Sequence, residues 1–225
     1  MRILGMSDLH GYHEVYRAIP DLVRRHAVEA VILAGDLLGE PEGYDTIESA
    51  QRADAAVLVE VLRRLPVPVL YIMGNDDMVE LDPGADHIQS LHGRRIDLGS
   101  YNFVGYQYSL PFMGGIFEKP EAEIAADMAE LEGLLDTRSV LVTHSPAQGI
   151  LDTGVLGISA GSSAILAAVL QRSVRAHLHG HIHSRFGCEG RHFNVAGGGK
   201  LRGLVIDLAT LRHEVIDSGS PWKDR

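Results

Sequence analysis

Residues 30–36 read AVILAGD, a short aliphatic run closed by a glycine and an aspartate. Residues 2–8, RILGMSD, have the same organisation near the start of the chain. Aliphatic runs of this length are typical of strands that are buried on both faces of a sheet. A polar residue directly after such a strand lies at the edge of the sheet, where α/β proteins place their binding sites. The two runs therefore predict strands that deliver Asp8 and Asp36 to such an edge.

Helical periodicity follows each of these strands. Val15, Ile19 and Leu22 recur at helical spacing, although Pro20 removes a backbone donor and predicts a kink or a restart. A second helix is predicted over Thr46 to Leu65, and a third strand over Val69 to Met73. This alternation favours parallel strands joined by helical crossovers.

The second half of the chain adds short β-like runs and two more helices. Strands are predicted at residues 95–98, 101–105, 139–143, 176–178, 193–195, 204–208 and 211–216, and helices at residues 121–135 and 160–170. The last three runs alternate as antiparallel strands do. Two stacked mixed β-sheets flanked by helices accommodate this series, so we predict an α/β fold, a four-layer α-β-β-α sandwich. No linker interrupts residues 1–225, which we interpret as a single domain.

The composition is that of an ordinary globular protein, with 45% hydrophobic and 22% charged residues. No apolar run approaches the roughly 18 residues that cross a bilayer, and the N-terminus lacks the shape of a signal peptide. We therefore expect a cytoplasmic protein with no membrane association. The net charge of −10 comes without clustered Lys and Arg, so we expect no strong nucleic-acid binding.

Histidine and cysteine usage point to a metal held by nitrogen and oxygen ligands. The chain has 12 histidines, and four of them lie between His177 and His183. The single cysteine, Cys188, excludes an intrachain disulfide and a zinc ribbon. Histidine, carboxylate and amide groups are the ligands that remain.

Five short motifs contain such groups, each at the point where an apolar run stops. They are Asp8-Leu9-His10, Gly35-Asp36, Gly74-Asn75-Asp76-Asp77, Thr143-His144 and Gly180-His181-Ile182-His183. Asp8 and His10 would face the same way on an extended chain and could hold one ion. Two histidines two residues apart at a turn can serve two neighbouring metals.

Four of the five motifs also have a plainer interpretation, whereas His181 and His183 together are harder to dismiss. Asp8 could cap a turn beside a partly buried His10. Asp36 could be the N-cap of a helix, since aspartate after a strand is common there. His144 could be a core histidine with satisfied hydrogen bonds, and Asp77 could cap the segment that follows it.

Taken in order, the five motifs resemble those of the calcineurin-like metallophosphoesterases, in particular a small prokaryotic phosphodiesterase-like branch. The resemblance extends from Ile3 to about Asp207, nearly the whole chain. It implies a double sheet with two metals at the strand ends. It further implies the following ligands: Asp8, His10 and His183 for the first metal, Asn75, His144 and His181 for the second, and Asp36 as the bridge.

These ligands suit two divalent ions such as Mn, Fe, Zn, Ni or Co. The resemblance implies a binuclear metal-dependent phosphoesterase that uses a metal-bridging hydroxide as its nucleophile. We expect hydrolysis of small phosphodiesters more than of monoesters, with Asp76, Asn75 and His10 as catalytic residues. The expected partner is a small phosphoester substrate, and a homo-oligomer remains open.

One position departs from the family pattern. The third motif is commonly Gly-Asn-His followed by Asp or Glu, and its histidine faces the leaving group. Asp76 occupies that place here. An aspartate donates a proton only if its pKa is raised, and two dications nearby would lower it. We therefore expect weak help for the leaving group and a preference for esters with good leaving groups.

Two rival functions remain open, a nuclease of the same family and a non-catalytic metal-binding scaffold for protein interactions. Two loops could act as lids over the site. The first, residues 39–45, carries Glu40, Glu42 and Asp45, which would repel a polyanion. The second, residues 106–120, carries aromatic side chains that could stack on a base or an aryl group, or else cover the core or a subunit interface. Residues 197–200, Gly-Gly-Gly-Lys, could be a glycine turn near the metals or a phosphate-binding loop.

Overall fold

The computed structural model describes residues 1–112, 114–155 and 157–217. In this part of the chain the fold consists of two β-sheets and four α-helices. Met113, Leu156 and residues 218–225, which belong to the predicted domain, lie outside the described residues. The helices are α1 (His13–Arg25), α2 (Ile47–Leu62), α3 (Glu121–Leu131) and α4 (Ser163–Arg172). The strands are β1 (Arg2–Met6), β2 (Ala30–Ala34), β3 (Val69–Ile72), β4 (Ile88–Ser90), β5 (Arg95–Leu98), β6 (Tyr101–Tyr106), β7 (Ser139–Thr143), β8 (Ala176–His179), β9 (Gly187–Glu189), β10 (His192–Asn194), β11 (Arg202–Asp207) and β12 (His213–Asp217).

Both sheets are mixed. The first has the order β12-β11-β1-β2-β3-β4, and the second has the order β5-β6-β7-β8-β10-β9. In the first sheet β1, β2, β3 and β4 are parallel, whereas β11 and β12 are antiparallel to their neighbours. In the second sheet β6, β7, β8 and β10 are parallel, with antiparallel β5 and β9 at the edges. Each sheet has six strands, and helical crossovers join β1 to β2, β2 to β3, β6 to β7 and β7 to β8, which confirms the predicted topology class.

Alternate residues of each sheet face two different cores, which gives the molecule four layers. Between the sheets lies one apolar cluster that includes Ile3, Ile32, Leu70, Phe103, Val140 and Leu178. The opposite face of the first sheet packs on α1 and α2, and that of the second sheet packs on α3 and α4. The predicted α-β-β-α sandwich is therefore confirmed, and the strands are continuous apolar runs because both of their faces are covered.

Side-chain caps account for where helices α2 and α4 begin. Thr46 caps α2, since its side chain accepts a hydrogen bond from Ser49 N at 3.1 Å while Ser49 Oγ accepts one from Thr46 N at 3.2 Å. Ser162 caps α4 through Ile165 N at 3.2 Å. The predicted restart at Pro20 was wrong, because α1 continues through it.

The strand predictions agree with the structure to within about two residues, with two omissions. Strands β4 and β9 have three residues each and lie at the edges of their sheets. Segments this short carry too few residues to establish a periodicity. Within the described ranges, no helix is long and apolar enough to cross a membrane.

Candidate metal centre

The predicted ligands gather at the carboxyl ends of five parallel strands, three in the first sheet and two in the second. Asp8, Asp36 and Asn75 follow β1, β2 and β3, and His144 and His181 follow β7 and β8. Because the two sheets are stacked, their strand ends meet along one edge of the sandwich. All seven predicted metal ligands are found there, since His10 and His183 lie two residues beyond Asp8 and His181.

Asp8, His10 and His183 form a first group, whose candidate ligand atoms lie within 4.8 Å of one another. His183 Nε2 is 2.9 Å from Asp8 Oδ1 and 3.3 Å from His10 Nε2. Two imidazole nitrogens that face each other at this distance share at most one hydrogen between them. Their lone pairs and the Asp8 carboxylate converge on one point, which suits a cation.

Asp36, His144 and His181 form a second group that meets the same distance limit of 4.8 Å. His144 Nδ1 lies 2.9 Å from the carbonyl oxygen of Ala34, so this nitrogen carries the hydrogen. The other ring nitrogen, Nε2, then points at Asp36 Oδ2 at 3.2 Å and Asn75 Oδ1 at 3.0 Å. A hydrogen-bonded Nδ1 is the usual way in which a protein orients a metal-binding imidazole.

Asp36 lies between the two groups. Its carboxylate also belongs to a third set of neighbouring ligand atoms, with His10 and Asp76, again within 4.8 Å. Asp36 Oδ1 accepts a hydrogen bond from Asp76 N at 2.9 Å. The residue that sequence analysis assigned to the bridge is thus adjacent to members of both groups.

The backbone of the site adopts the left-handed conformation at four non-glycine residues. The φ angles are +55° at Asp8, +46° at His10, +50° at Asp36 and +69° at His181. Asp8 and His10 therefore do not lie on an extended chain, and the reason given for their shared orientation was wrong although they do meet. Such conformations cost about 1–3 kcal/mol each and cluster at functional sites.

Two motif glycines are required by close packing rather than by turn geometry. A Cβ on Gly74 would lie 2.2 Å from Asp36 Oδ1, and a Cβ on Gly180 would lie 1.9 Å from Ser7 Oγ. Ser7 Oγ in turn donates to Asp8 Oδ2 at 2.5 Å. The glycines thus leave room for ligand side chains of a neighbouring strand, which explains why glycine precedes the polar residue in these motifs.

Asp77 holds the loop that carries Asp36. Its fully buried carboxylate accepts hydrogen bonds from Leu37 N at 3.0 Å, Leu38 N at 2.9 Å and Gly74 N at 2.8 Å. The capping role suggested for Asp77 was wrong, since these donors precede it in the chain. Sequence analysis did not predict this role, because the contact joins segments about 40 residues apart. Burial and the nearby Asp36 raise the pKa of Asp77 to about 8, against the lowering effect of the three N–H groups.

Burial and nearby charges also shift the pKa values of other groups in the site. Burial raises the pKa of the Asp8 and Asp36 carboxyls, but the neighbouring imidazoles outweigh it and lower both values below the usual range. Burial and the nearby His144 lower the pKa of His181 to about 4. His181 is therefore neutral near pH 7 and has a lone pair available for a metal.

The donor set fits divalent metals. Imidazole nitrogens, carboxylates and one amide oxygen converge from opposite sheets, a mixture of ligands that divalent first-row metals bind. The exposed members are His183, with 48% of its side chain accessible, and Asp76, with 46%. Asp76 Oδ2 lies 3.6 Å from His10 Nδ1. It lies on the open side of the site, where a substrate would enter.

Several plainer interpretations can now be judged. Asp36 is not an N-cap, because the next helix begins at Ile47. His144 is indeed a buried histidine with hydrogen-bond partners, but those partners include other members of the site. Residues 197–200 form a glycine turn whose Gly197 and Gly199 amides donate to the carbonyls of Ser7 and Asp8, so these amides do not face a phosphate.

The remaining histidines lie elsewhere. His13 Nε2 is 2.6 Å from Asp54 Oδ1 of α2, and His177 and His179 are fully buried within β8. In the aromatic loop at residues 106–120, Tyr106 and Phe117 are buried, as the interpretation of this loop as core cover predicts. Phe112 is the exception, because 72% of it is exposed and its ring lies beside His181.

Comparison with known proteins agrees with this geometry. Residues 1–199 match the calcineurin-like phosphoesterase superfamily domain. The chain belongs to this superfamily. The residues that carry the family's motifs are the ones that the fold brings together, so the resemblance inferred from sequence is confirmed. The sequence has no significant match among curated proteins.

Solved structures share the fold of this calcineurin-like chain at low sequence identity. One has a TM-score of 0.78 and 13% identity, covering 96% of this chain and 98% of its own. The protein TT1561 of Thermus thermophilus has a TM-score of 0.72 and 16% identity, with the same coverage of 96% and 98%. A dimetal phosphatase from Danio rerio has a TM-score of 0.63 and 13% identity, again covering 96% and 98%. At this identity the likeness establishes the architecture, and the chemistry rests on the family and on the site.

Proposed function

We propose that this calcineurin-like phosphoesterase is a binuclear metal-dependent enzyme of the cytoplasm that hydrolyses small phosphodiesters. The observation that supports it is the pair of adjacent three-residue ligand groups, with Asp36 between them. Asp8, His10 and His183 would hold the first metal, and Asn75, His144 and His181 the second. Asp36 would bridge the two. Mn, Fe, Zn, Ni and Co suit this mixture of imidazole, carboxylate and amide ligands.

The protein's own residues would have separate tasks. When bound, the two cations supply Lewis acidity and lower the pKa of a water molecule. The hydrogen bond from His144 Nδ1 to Ala34 O fixes the imidazole so that Nε2 faces the second metal position. Asn75 Nδ2 donates to Asp76 Oδ1 at 2.9 Å, which turns the Asn75 oxygen toward His144. Asp76, His10 and Asn75 would then contact the substrate from the open side.

The position of Asp76 supports a preference for substrates with good leaving groups. A carboxylate beside Asp36 cannot assist a poor leaving group as an imidazolium could. Burial and the nearby Asp36 raise the pKa of Asp76, which by itself would favour proton donation, but two bound dications would lower it. Phosphodiesters and activated monoesters would therefore be hydrolysed faster than alkyl monoesters.

Charge favours a small substrate over a nucleic acid. Glu40 and Glu42 are exposed in the loop that begins at Gly39, and Gly39 packs directly against the His10 backbone. These carboxylates add to a net charge of −10. A polyanion approaching the site would meet repulsion, while a monoanionic diester would meet much less.

A single substrate panel tests the proposal. Purified protein is stripped with a chelator, reloaded with Mn, Ni, Zn, Co or Mg, and assayed on aryl phosphodiesters, cyclic nucleotides, phosphomonoesters and single-stranded DNA. We expect aryl diesters to be hydrolysed at least about tenfold faster than the matching monoesters. Asp36→Asn should lose about 10²-fold or more, since it removes the bridge. Asp45→Asn, which changes an exposed loop carboxylate, is the control.

Each rival function has its own outcome in this panel. Efficient cleavage of single-stranded DNA would identify a nuclease. Failure to hydrolyse any ester, with or without metal uptake, would favour a protein-interaction scaffold. A constant rate across leaving groups of widely different basicity would contradict the interpretation of Asp76.

A further inference from the structure

We propose that Phe112 is a specificity residue that stacks on a planar aromatic ester group of the substrate. This inference rests on the proposed phosphoesterase function and narrows the substrate class to aryl or nucleobase-bearing phosphoesters. It starts from a large apolar side chain that is 72% exposed directly beside the candidate metal centre.

The ring of Phe112 contacts a predicted metal ligand. Its centroid lies 6.0 Å from that of His181, with an angle of 87° between the two planes. The two rings therefore meet edge to face, which is a favoured aromatic geometry. Most of the Phe112 ring is left accessible, within the reach of a group attached to a phosphorus atom at the metals.

The loop around Phe112 is held in place by its own contacts. Glu118 Oε2 accepts hydrogen bonds from Phe112 N and Gly114 N, both at 2.9 Å. Gly115 lies against the backbone of Asn75, since a Cβ there would be 2.3 Å from the Asn75 carbonyl oxygen. The loop thus contacts two predicted ligands of the same metal, His181 through Phe112 and Asn75 through Gly115. These contacts give the Phe112 ring a defined position relative to the candidate metal centre.

The other aromatic residues of the loop serve a different purpose. The ring of Tyr108 contacts those of Tyr106 and Phe117, with centroid distances of 5.7 and 6.2 Å. Tyr106 and Phe117 are buried, and Tyr108 also lies under the ammonium group of Lys119, 4.2 Å from Nζ. This cluster anchors the base of the loop. Phe112 is left as the member that faces outward near the metals.

An exposed aromatic ring beside a phosphoryl site discriminates by shape and by electron distribution. A flat ring stacks on the Phe112 face or meets its edge, whereas a saturated ring of similar size gains only apolar contact. An alkyl ester that is too short to reach Phe112 gains neither. Ligands that differ only in this group therefore separate stacking from general hydrophobic contact.

The test uses phenylphosphonate, cyclohexylphosphonate and methylphosphonate as non-hydrolysable probes. Isothermal titration calorimetry measures their binding to the metal-loaded protein, and competition with bis(p-nitrophenyl) phosphate supplies a second reading. We expect Phe112→Ala to weaken phenylphosphonate binding about three- to tenfold, the range of a single aromatic contact. Methylphosphonate binding should change less than about twofold. Phe112→Tyr should retain the preference for phenylphosphonate, and Phe112→Leu should lose most of it.

Ile116→Ala provides the matched control, because Ile116 is a 55% exposed apolar residue of the same loop. It should leave the ratio of phenylphosphonate affinity to cyclohexylphosphonate affinity as in the wild type. An unchanged ratio in Phe112→Ala would overturn the proposal, as would failure of the metal-loaded wild type to bind phenylphosphonate. Weaker metal binding with an unchanged ratio would identify Phe112 as a shield for His181 and would also overturn it. Failure of the proposed function is separate, because it appears as absent hydrolysis of all esters by the wild type and Ile116→Ala alike.

Discussion

At the scale of single residues, Asp77 shows how a side chain outside the ligand set can determine ligand geometry. Its carboxylate accepts three backbone N–H groups that belong to the loops after β2 and β3. In Asp77→Asn one acceptor oxygen becomes an N–H donor that must face a backbone donor. We expect metal affinity to fall about 10- to 100-fold, the usual effect of removing a partner of the ligand shell. Competition with a chromophoric chelator measures this. Asp82→Asn, which changes an exposed carboxylate, is the control and should bind metal as the wild type does. Unaltered metal affinity in Asp77→Asn would contradict the role of Asp77 in positioning the ligands.

The same scale marks where prediction from sequence succeeds. The candidate ligands could be named because the five motifs at the ends of apolar runs, taken in order, resemble those of the calcineurin-like family. The roles of Asp77 and Phe112 could not be predicted from the sequence, because both depend on contacts with residues about 40 to 70 positions away. The left-handed backbone at Asp8 and His10 was also missed, since no glycine marks these positions.

At the scale of elements, a hydrogen-bonded series links β10 and β8 to the end of β7. His192 Nδ1 lies 3.1 Å from His177 Nδ1, and His177 Nε2 lies 2.8 Å from Thr143 Oγ1. The Thr143 hydroxyl donates to Ser145 O at 2.5 Å, so it accepts from His177, which must carry its hydrogen on Nε2. The series supports the strand end from which His144 projects. Full burial requires a neutral His177, whose Nδ1 then accepts a hydrogen bond from His192 Nδ1.

This requirement predicts an acid sensitivity of folding. Burial, together with neighbouring His179 and His192, lowers the pKa of His177 well below its usual range. The unfolded chain binds a proton at this histidine below about pH 6.5, whereas the folded chain does not, so stability falls as the pH drops below that value. Stability should therefore be lower at pH 5 than at pH 7, and His177 should contribute to the difference. Urea unfolding of the chelator-treated protein measures it. His177→Gln should lose less stability over this interval than the wild type. His213→Gln, which changes an exposed histidine, should lose as much as the wild type. Equal losses of stability in all three proteins would refute the account.

At the scale of the whole molecule, the site lies where the two sheets meet. Sequence periodicity predicted the sheets and their crossovers, because buried parallel strands and amphipathic helices leave strong local patterns. It did not predict edge strands β4 and β9, whose formation depends on pairing with a neighbouring strand. Three ligand-bearing strands belong to the first sheet and two to the second, so the proposed centre would connect the two halves of the sandwich.

Metal binding should therefore stabilise the entire fold, and not only the loops. Ligands that bind only the native state stabilise it by RT ln(1 + [L]/Kd), about 4 kcal/mol at a thousandfold excess over Kd. For a chain of this length, such a gain corresponds to an increase of about 10 °C in the melting temperature. Calorimetric scans with saturating Mn and with chelator provide the comparison. His181→Gln, which changes a predicted ligand from the second sheet, should lose much of the increase, whereas Asp45→Asn should keep it. A melting temperature that does not depend on metal would contradict the prediction, because it would mean that Mn does not bind the native state in preference to the unfolded chain.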